Sequence, residues 1–129
     1  MSNNHRQVTF VTAYWNRLSF EETVEGLNNY GCTISAFDSI EAALKNSDVV
    51  QKTELLVVDP ISFDGVGIDN LKLLQEGGYT CPVIIWTLAH PKDGDRDEFE
   101  ERKEVIEVLP TVMCVPELYR LIRLLFTPE

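Results

Sequence analysis

Basic residues are scarce in this chain: 11 Lys plus Arg stand against 21 Asp plus Glu in 129 residues, a formal charge of −10. That field repels phosphate backbones and anionic lipid alike, so nucleic-acid and membrane partners are not expected, and a protein partner or a small ligand is. Cysteine is sparse too. Cys32, Cys81 and Cys114 are odd in number, far apart and without a CxxC or Cys/His pairing, which argues against a zinc site and against a secreted disulfide framework. No apolar run approaches the ~20 residues that span a bilayer, and the start "MSNNHRQ" has no apolar targeting core, so the chain reads as cytoplasmic. There is no glycine-rich phosphate loop of the P-loop or dinucleotide type, which leaves a nucleotide-dependent α/β enzyme with little support. His5 sits in a polar leader and His90 precedes Pro91; neither has a serine or cysteine at a spacing that recommends a catalytic triad. Repeats and Pro/Gly/Ser-rich linkers are missing as well. One domain of this length buries a core without staples.

What is present is an alternation of apolar runs of strand length with segments of helical period, five times over, which indicates a single α/β unit. The runs expected to be strands are Val8 to Ala13, "CTISAF", Leu55 to Val58, Pro82 to Leu88, and "TVMCV" at Thr111 to Val115. Capping boxes at Ser19/Glu22 and Asp38/Glu41 open the first two helices, with Phe20, Val24, Leu27 and Tyr30 on one face of the first. Asn46 and its neighbours in "KNSD" close the second. Ile68, Leu71 and Leu74 mark a third helix stopped at Gly77-Gly78, and Leu118, Leu121, Ile122 and Leu125 mark an amphipathic last one. Strands 3 and 4 are unbroken apolar runs, as central strands of a parallel sheet covered on both faces require. Reacting groups in such sheets collect at the C-terminal strand ends. Asp59 and Thr87 fall there.

An acid at the tip of a buried strand has several uses: nucleophile, metal ligand, or a turn residue accepting backbone N–H bonds. The stretch "VVDPISFDG", followed by "GIDNLKLL", "CPVIIWT" and "VPELYRLI", resembles the receiver domain of two-component response regulators over roughly Val8 to Phe126. The resemblance implies a doubly wound, flavodoxin-like (βα)5 fold with strand order 2-1-3-4-5. It puts the phosphoacceptor at Asp59 and the switch hydroxyl at Thr87. It also implies a signalling module rather than an enzyme, with a protein partner such as a histidine kinase or another signalling protein, and pairing of two copies through the last helix as one arrangement.

Receiver chemistry brings two negative groups together, so a Mg²⁺ ion normally screens them and needs further oxygen ligands. The family supplies these as an acidic pair at the end of the first strand. Here that position holds Thr12 and Ala13, and no Asp or Glu occurs before Glu21. The family's lysine at the end of the fifth strand is matched to Val115, before Pro116, and no lysine follows Lys103. The aromatic switch residue three positions earlier is Val112. The connections after Asp59 and after Thr87 are longer than the family's, the second by about five residues. These departures indicate a degenerate receiver, or pseudo-receiver, acting by protein–protein interaction without phosphorylation and without a cofactor. Two other readings stay open: a true phospho-accepting receiver using Asp59 with Mg²⁺, and a small-ligand-binding protein of flavodoxin-like fold.

Two surface features complete the reading. Asp93, Asp95, Asp97 and Glu104 fall at positions 1, 3, 5 and 12 of a calcium loop, but position 6 is Glu98 where glycine is needed and position 8 is Glu100 where an apolar residue is usual. A solvated helix beginning near Asp95, its acids at the positive end of the dipole, is the plainer expectation. Trp86, Val112, Tyr119, Arg120 and Arg123 are the candidate interface, with a core tryptophan and a solvated helix face as the plain alternatives.

Overall fold

The computed structural model describes residues 6–13, 25–26, 28–29, 31–87, 93–102, 104–110 and 115–126. Five strands form one parallel sheet: β1 (Arg6–Val11), β2 (Cys32–Phe37), β3 (Leu55–Val58), β4 (Val83–Thr87) and β5 (Val105–Pro110), in the order β2-β1-β3-β4-β5. The helices are α1 (Ile40–Lys45), α2 (Ser47–Lys52), α3 (Gly67–Glu76), α4 (Asp93–Glu100) and α5 (Val115–Phe126), with a 3-10 turn at Pro60–Ser62. This is the expected doubly wound order. The first expected helix, Phe20 to Tyr30, lies largely outside the described residues.

The alternation of side chains along the strands divides the core in two. Val11, Leu56, Val58, Val83, Ile85 and Val108 join Ile68, Leu71 and Leu74 of α3 and Phe99 of α4 on one face of the sheet. Val8, Phe10, Leu55, Val57, Ile84 and Trp86 join Ile122 of α5 on the other. β3 is buried at every position, which is why its sequence carries no polar residue until Asp59. Thr9 is the polar exception inside β1. Its hydroxyl lies 2.6 Å from that of Thr53, which in turn donates to the Val49 carbonyl, so Thr9 is the donor of the pair and both hydroxyls are satisfied.

Several boundaries differ from expectation for local reasons. Ser39, not Asp38, caps α1: its hydroxyl accepts from the Ala42 amide at 3.1 Å. Asn46 ends α1 and its side chain then caps a further short helix, α2, where the sequence suggested only a stop. α3 ends as expected at Gly77-Gly78. Gly78 takes φ +122°, a backbone conformation that L side chains rarely adopt, so glycine is required there, and a Cβ on Gly77 would stand 2.3 Å from Leu44 Cδ2, which would have to move.

The largest correction concerns the fifth strand. β5 is Val105–Pro110, and Val115 is the first residue of α5 rather than the last of a strand. "EVIEV" had been taken into the charged segment before it, because Glu104 and Glu107 break the apolar run of what is in fact an edge strand. Edge position explains the sequence, since among the described residues no strand pairs with the outer side of β5 and Ile106 is 44% exposed beside a register shift against β4.

Candidate functional site

The C-terminal ends of β1, β3 and β4 form the rim on which the expected site residues converge. In the register Val11 pairs Val58 and Val58 pairs Ile85. Thr12 and Asp59 therefore lie one residue past the last β1–β3 pair, and Thr87 closes β4 one strand over. Asp59 is 2% exposed and Thr12 5% exposed. The Asp59 amide continues the ladder by donating to the Val11 carbonyl at 2.9 Å, as the Thr12 amide does to the Phe37 carbonyl at 3.1 Å.

The turn reading of Asp59 needs refinement. Its carboxylate does not cap the 3-10 turn that follows; the main-chain carbonyl holds the turn instead. That carbonyl accepts from the Ser62 amide at 3.2 Å and from the Ser62 hydroxyl at 2.7 Å. The same hydroxyl accepts from the Ala13 amide at 2.9 Å, so one serine links the end of β1 to the end of β3. Asn70, 6% exposed in the first turn of α3, uses both hydrogens of its amide nitrogen, one on the Pro60 carbonyl at 3.0 Å and one on the Asp64 carbonyl at 3.1 Å. The loop after Asp59 is thus pinned at both ends. Sequence reasoning singled out neither Ser62 nor Asn70. A serine three residues after a strand-end acid was the available signal for the first; an asparagine four residues before Leu74, on the core side of an apolar helix, was the signal for the second.

Of the candidate interface residues, Trp86 is placed in the core. Trp86 is 3% exposed and packs edge-to-face on Phe10, ring centroids 5.7 Å apart at 69°. Its position in β4 turns it with Ile84 toward Val57 and Ile122, so it is core, not a contact anchor. Arg120 and Arg123 are exposed on α5, and Tyr119 belongs to the same helix. Val112 lies outside the described residues. Leu125, expected on the core side of α5, is 42% exposed, and Leu124 is 66% exposed; Ile122 carries the helix onto the sheet.

Metal and nucleophile chemistry find little here. Among the described residues no three of His, Cys, Asp and Glu converge as a metal-holding group. The donors beside Asp59 at the end of β1 are a threonine and an alanine, which do not fit Mg²⁺, an ion that demands near-octahedral oxygen ligation and dehydrates reluctantly. Asp93, Asp95 and Asp97 of the calcium-loop spacing fall within helix α4 (Asp93–Glu100), where positions two apart do not share a face, rather than in a loop. Cys32 and Cys81 are free thiols. Burial pushes Cys81 up to about 11; burial and the nearby Glu54 raise Cys32, partly offset by Arg6. Neither is an activated thiolate at neutral pH. No helix among the described residues is long and apolar enough to cross a membrane.

No protein-family model matches the sequence, and no curated protein matches it. Solved structures do. The receiver domain of NtrC4 from Aquifex aeolicus superposes with a TM-score of 0.70 at 20% identity, covering 94% of this chain and 96% of that one. The chemotaxis protein CheY4 of Vibrio cholerae gives 0.72 at 12% identity, covering 92% and 97%. A chain of the CheX–CheY–BeF3–Mg complex of Borrelia burgdorferi gives 0.72 at 14% identity, covering 95% and 90%. At these identities the likeness establishes the fold: the chain has the fold of a response-regulator receiver domain over nearly all of its length.

Proposed function

We propose that this protein is a receiver-fold signalling module that works by binding another protein and does not depend on phosphorylation. The observation that carries the reading is the rim around Asp59. Where phosphoryl transfer to a carboxylate calls for a screening cation and its acidic ligands, the end of β1 offers Thr12 and the amide of Ala13, the latter already engaged by Ser62. The end of β5 offers Leu109-Pro110 rather than a lysine, and the sequence has no lysine beyond Lys103. That second point holds whichever residue is matched to the family's lysine, Val115 included. An aspartate retained without these partners is left with the geometry of an acceptor and little of its electrostatics.

A second reading keeps Asp59 as a phosphoacceptor. It is favoured by the placement of Asp59 at the buried end of the central strand, with Thr87 at the end of the adjacent one. The two readings are separated by incubating the protein with Mg²⁺ and either beryllofluoride or acetyl phosphate, and following mass and the fluorine signal. The interaction reading expects the same spectrum and mass as the untreated protein. A stable adduct that disappears in Asp59→Asn sinks it.

A further inference from the structure

We propose that Ser62 is a positioning residue whose hydroxyl clasps the rim shut without a cation. In a metal-dependent receiver the resemblance implies that an ion joins the end of β1 to the end of β3. Here the same two strand ends are joined by a side chain of this chain. The Ser62 hydroxyl donates its one hydrogen to the Asp59 carbonyl at 2.7 Å and takes the Ala13 amide on a lone pair at 2.9 Å. A hydroxyl has one hydrogen and two acceptor sites, so the two bonds are compatible and run in one direction, from Ala13 through Ser62 to Asp59.

The surrounding turn fixes the serine where this is possible. Pro60 at the first position of the 3-10 turn is buried and needs no amide partner, and the Ser62 amide returns to the same Asp59 carbonyl at 3.2 Å. Ser62 is therefore held by backbone before its side chain acts. The Asn70 bonds to Pro60 and Asp64 hold the far side of the loop. Bridged from β1 and stapled from α3, the loop is set in one arrangement. The claim of cation independence rests on the interaction reading above; the claim that Ser62 joins the strands rests on the hydrogen bonds alone.

The test is amide hydrogen exchange by NMR on wild type, Ser62→Ala and Ser62→Thr, each with and without Mg²⁺. The expected result is a protected Ala13 amide in wild type, exchange there about five- to tenfold faster in Ser62→Ala relative to amides of Phe10 and Val57, and protection regained in Ser62→Thr, which keeps the hydroxyl. An Ala13 amide that exchanges freely in wild type, or equally slowly in Ser62→Ala, overturns the clasp. Mg²⁺ is expected to change none of the wild-type rates. If it slows exchange around Thr12 and Asp59, cation independence and the interaction reading fail together, while the Ser62 comparison still decides the clasp.

Discussion

Asn70 gives a quantitative handle on the loop that carries Asp59. Replacing it by alanine removes two hydrogen bonds whose acceptors differ in surroundings. The Pro60 carbonyl belongs to a buried residue and loses its partner where water has little access, at about 1–3 kcal/mol. Asp64 is exposed, so its carbonyl regains water and the loss is about 0.5 kcal/mol. Alanine returns about 0.5 kcal/mol of helix propensity inside α3. The net expectation is a loss of about 2 kcal/mol, or about 7 °C in the midpoint for a chain of this length. Urea unfolding followed by circular dichroism reads it directly, with an unchanged slope as the sign that the unfolded state is unaltered. Asn70→Asp is the sharper variant. It keeps the shape but turns two donors into a carboxylate facing two carbonyls, so it costs more than alanine at neutral pH and recovers part of the difference below about pH 4, where a protonated carboxyl donates once. An Asn70→Ala loss below about 0.5 kcal/mol, or an Asn70→Asp protein as stable as wild type, refutes the staple.

Two further outcomes follow from buried groups. Tyr79 is fully buried, its hydroxyl donates to the Ala43 carbonyl at 2.9 Å, and burial pushes its pKa up to about 12. The folded state then holds the proton more tightly than the unfolded chain, so stability present below about pH 10 is lost as pH climbs toward 12; Tyr79→Phe is expected to be less stable at pH 7 and to decline less over that range, measured against wild type because Cys81 adds a loss in the same direction from about pH 9. Thr12→Asp places a carboxylate in a position only 5% exposed beside Asp59, and is expected to lower stability by about 2 kcal/mol in chelator and to regain part of it in Mg²⁺. Wild type is expected to show no such gain, and an equal Mg²⁺ shift in both proteins counts against the metal-free rim.

How much of the fold could be read in advance depended on burial. β3 and β4 are central, covered on both faces, and their sequences are continuous apolar runs that admit no other assignment. The edges were harder. β2 was legible because "CTISAF" alternates Cys32, Ile34 and Ala36 with Thr33 and Ser35 between clear turn signals, whereas β5 carries Glu104 at its entrance and Glu107 within it, a pattern that a solvated helix shows equally well. "TVMCV", the more apolar stretch nearby, drew the assignment five residues too far. A misplaced edge strand then carried the lysine comparison with it, although the conclusion survived because it rests on a count of lysines.

The site shows the converse limit. Asp59 and Thr87 could be placed at strand ends because strand ends are visible in sequence, Thr12 was matched by resemblance, and topology brings all three strand ends to one rim. For Trp86 the core alternative is the one the structure shows: adjacency to a rim residue along the chain says nothing of which face a side chain takes, and one step along a strand reverses it. Ser62 and Asn70 were invisible on different grounds. Their partners are main-chain atoms of Ala13, Asp59, Pro60 and Asp64, and a main-chain carbonyl has no letter in the sequence. A rim whose visible acids are missing is therefore not a rim without organisation. The groups that hold it are a serine and an asparagine reading backbone, which fixes the loop's geometry through main-chain atoms of Ala13, Asp59, Pro60 and Asp64.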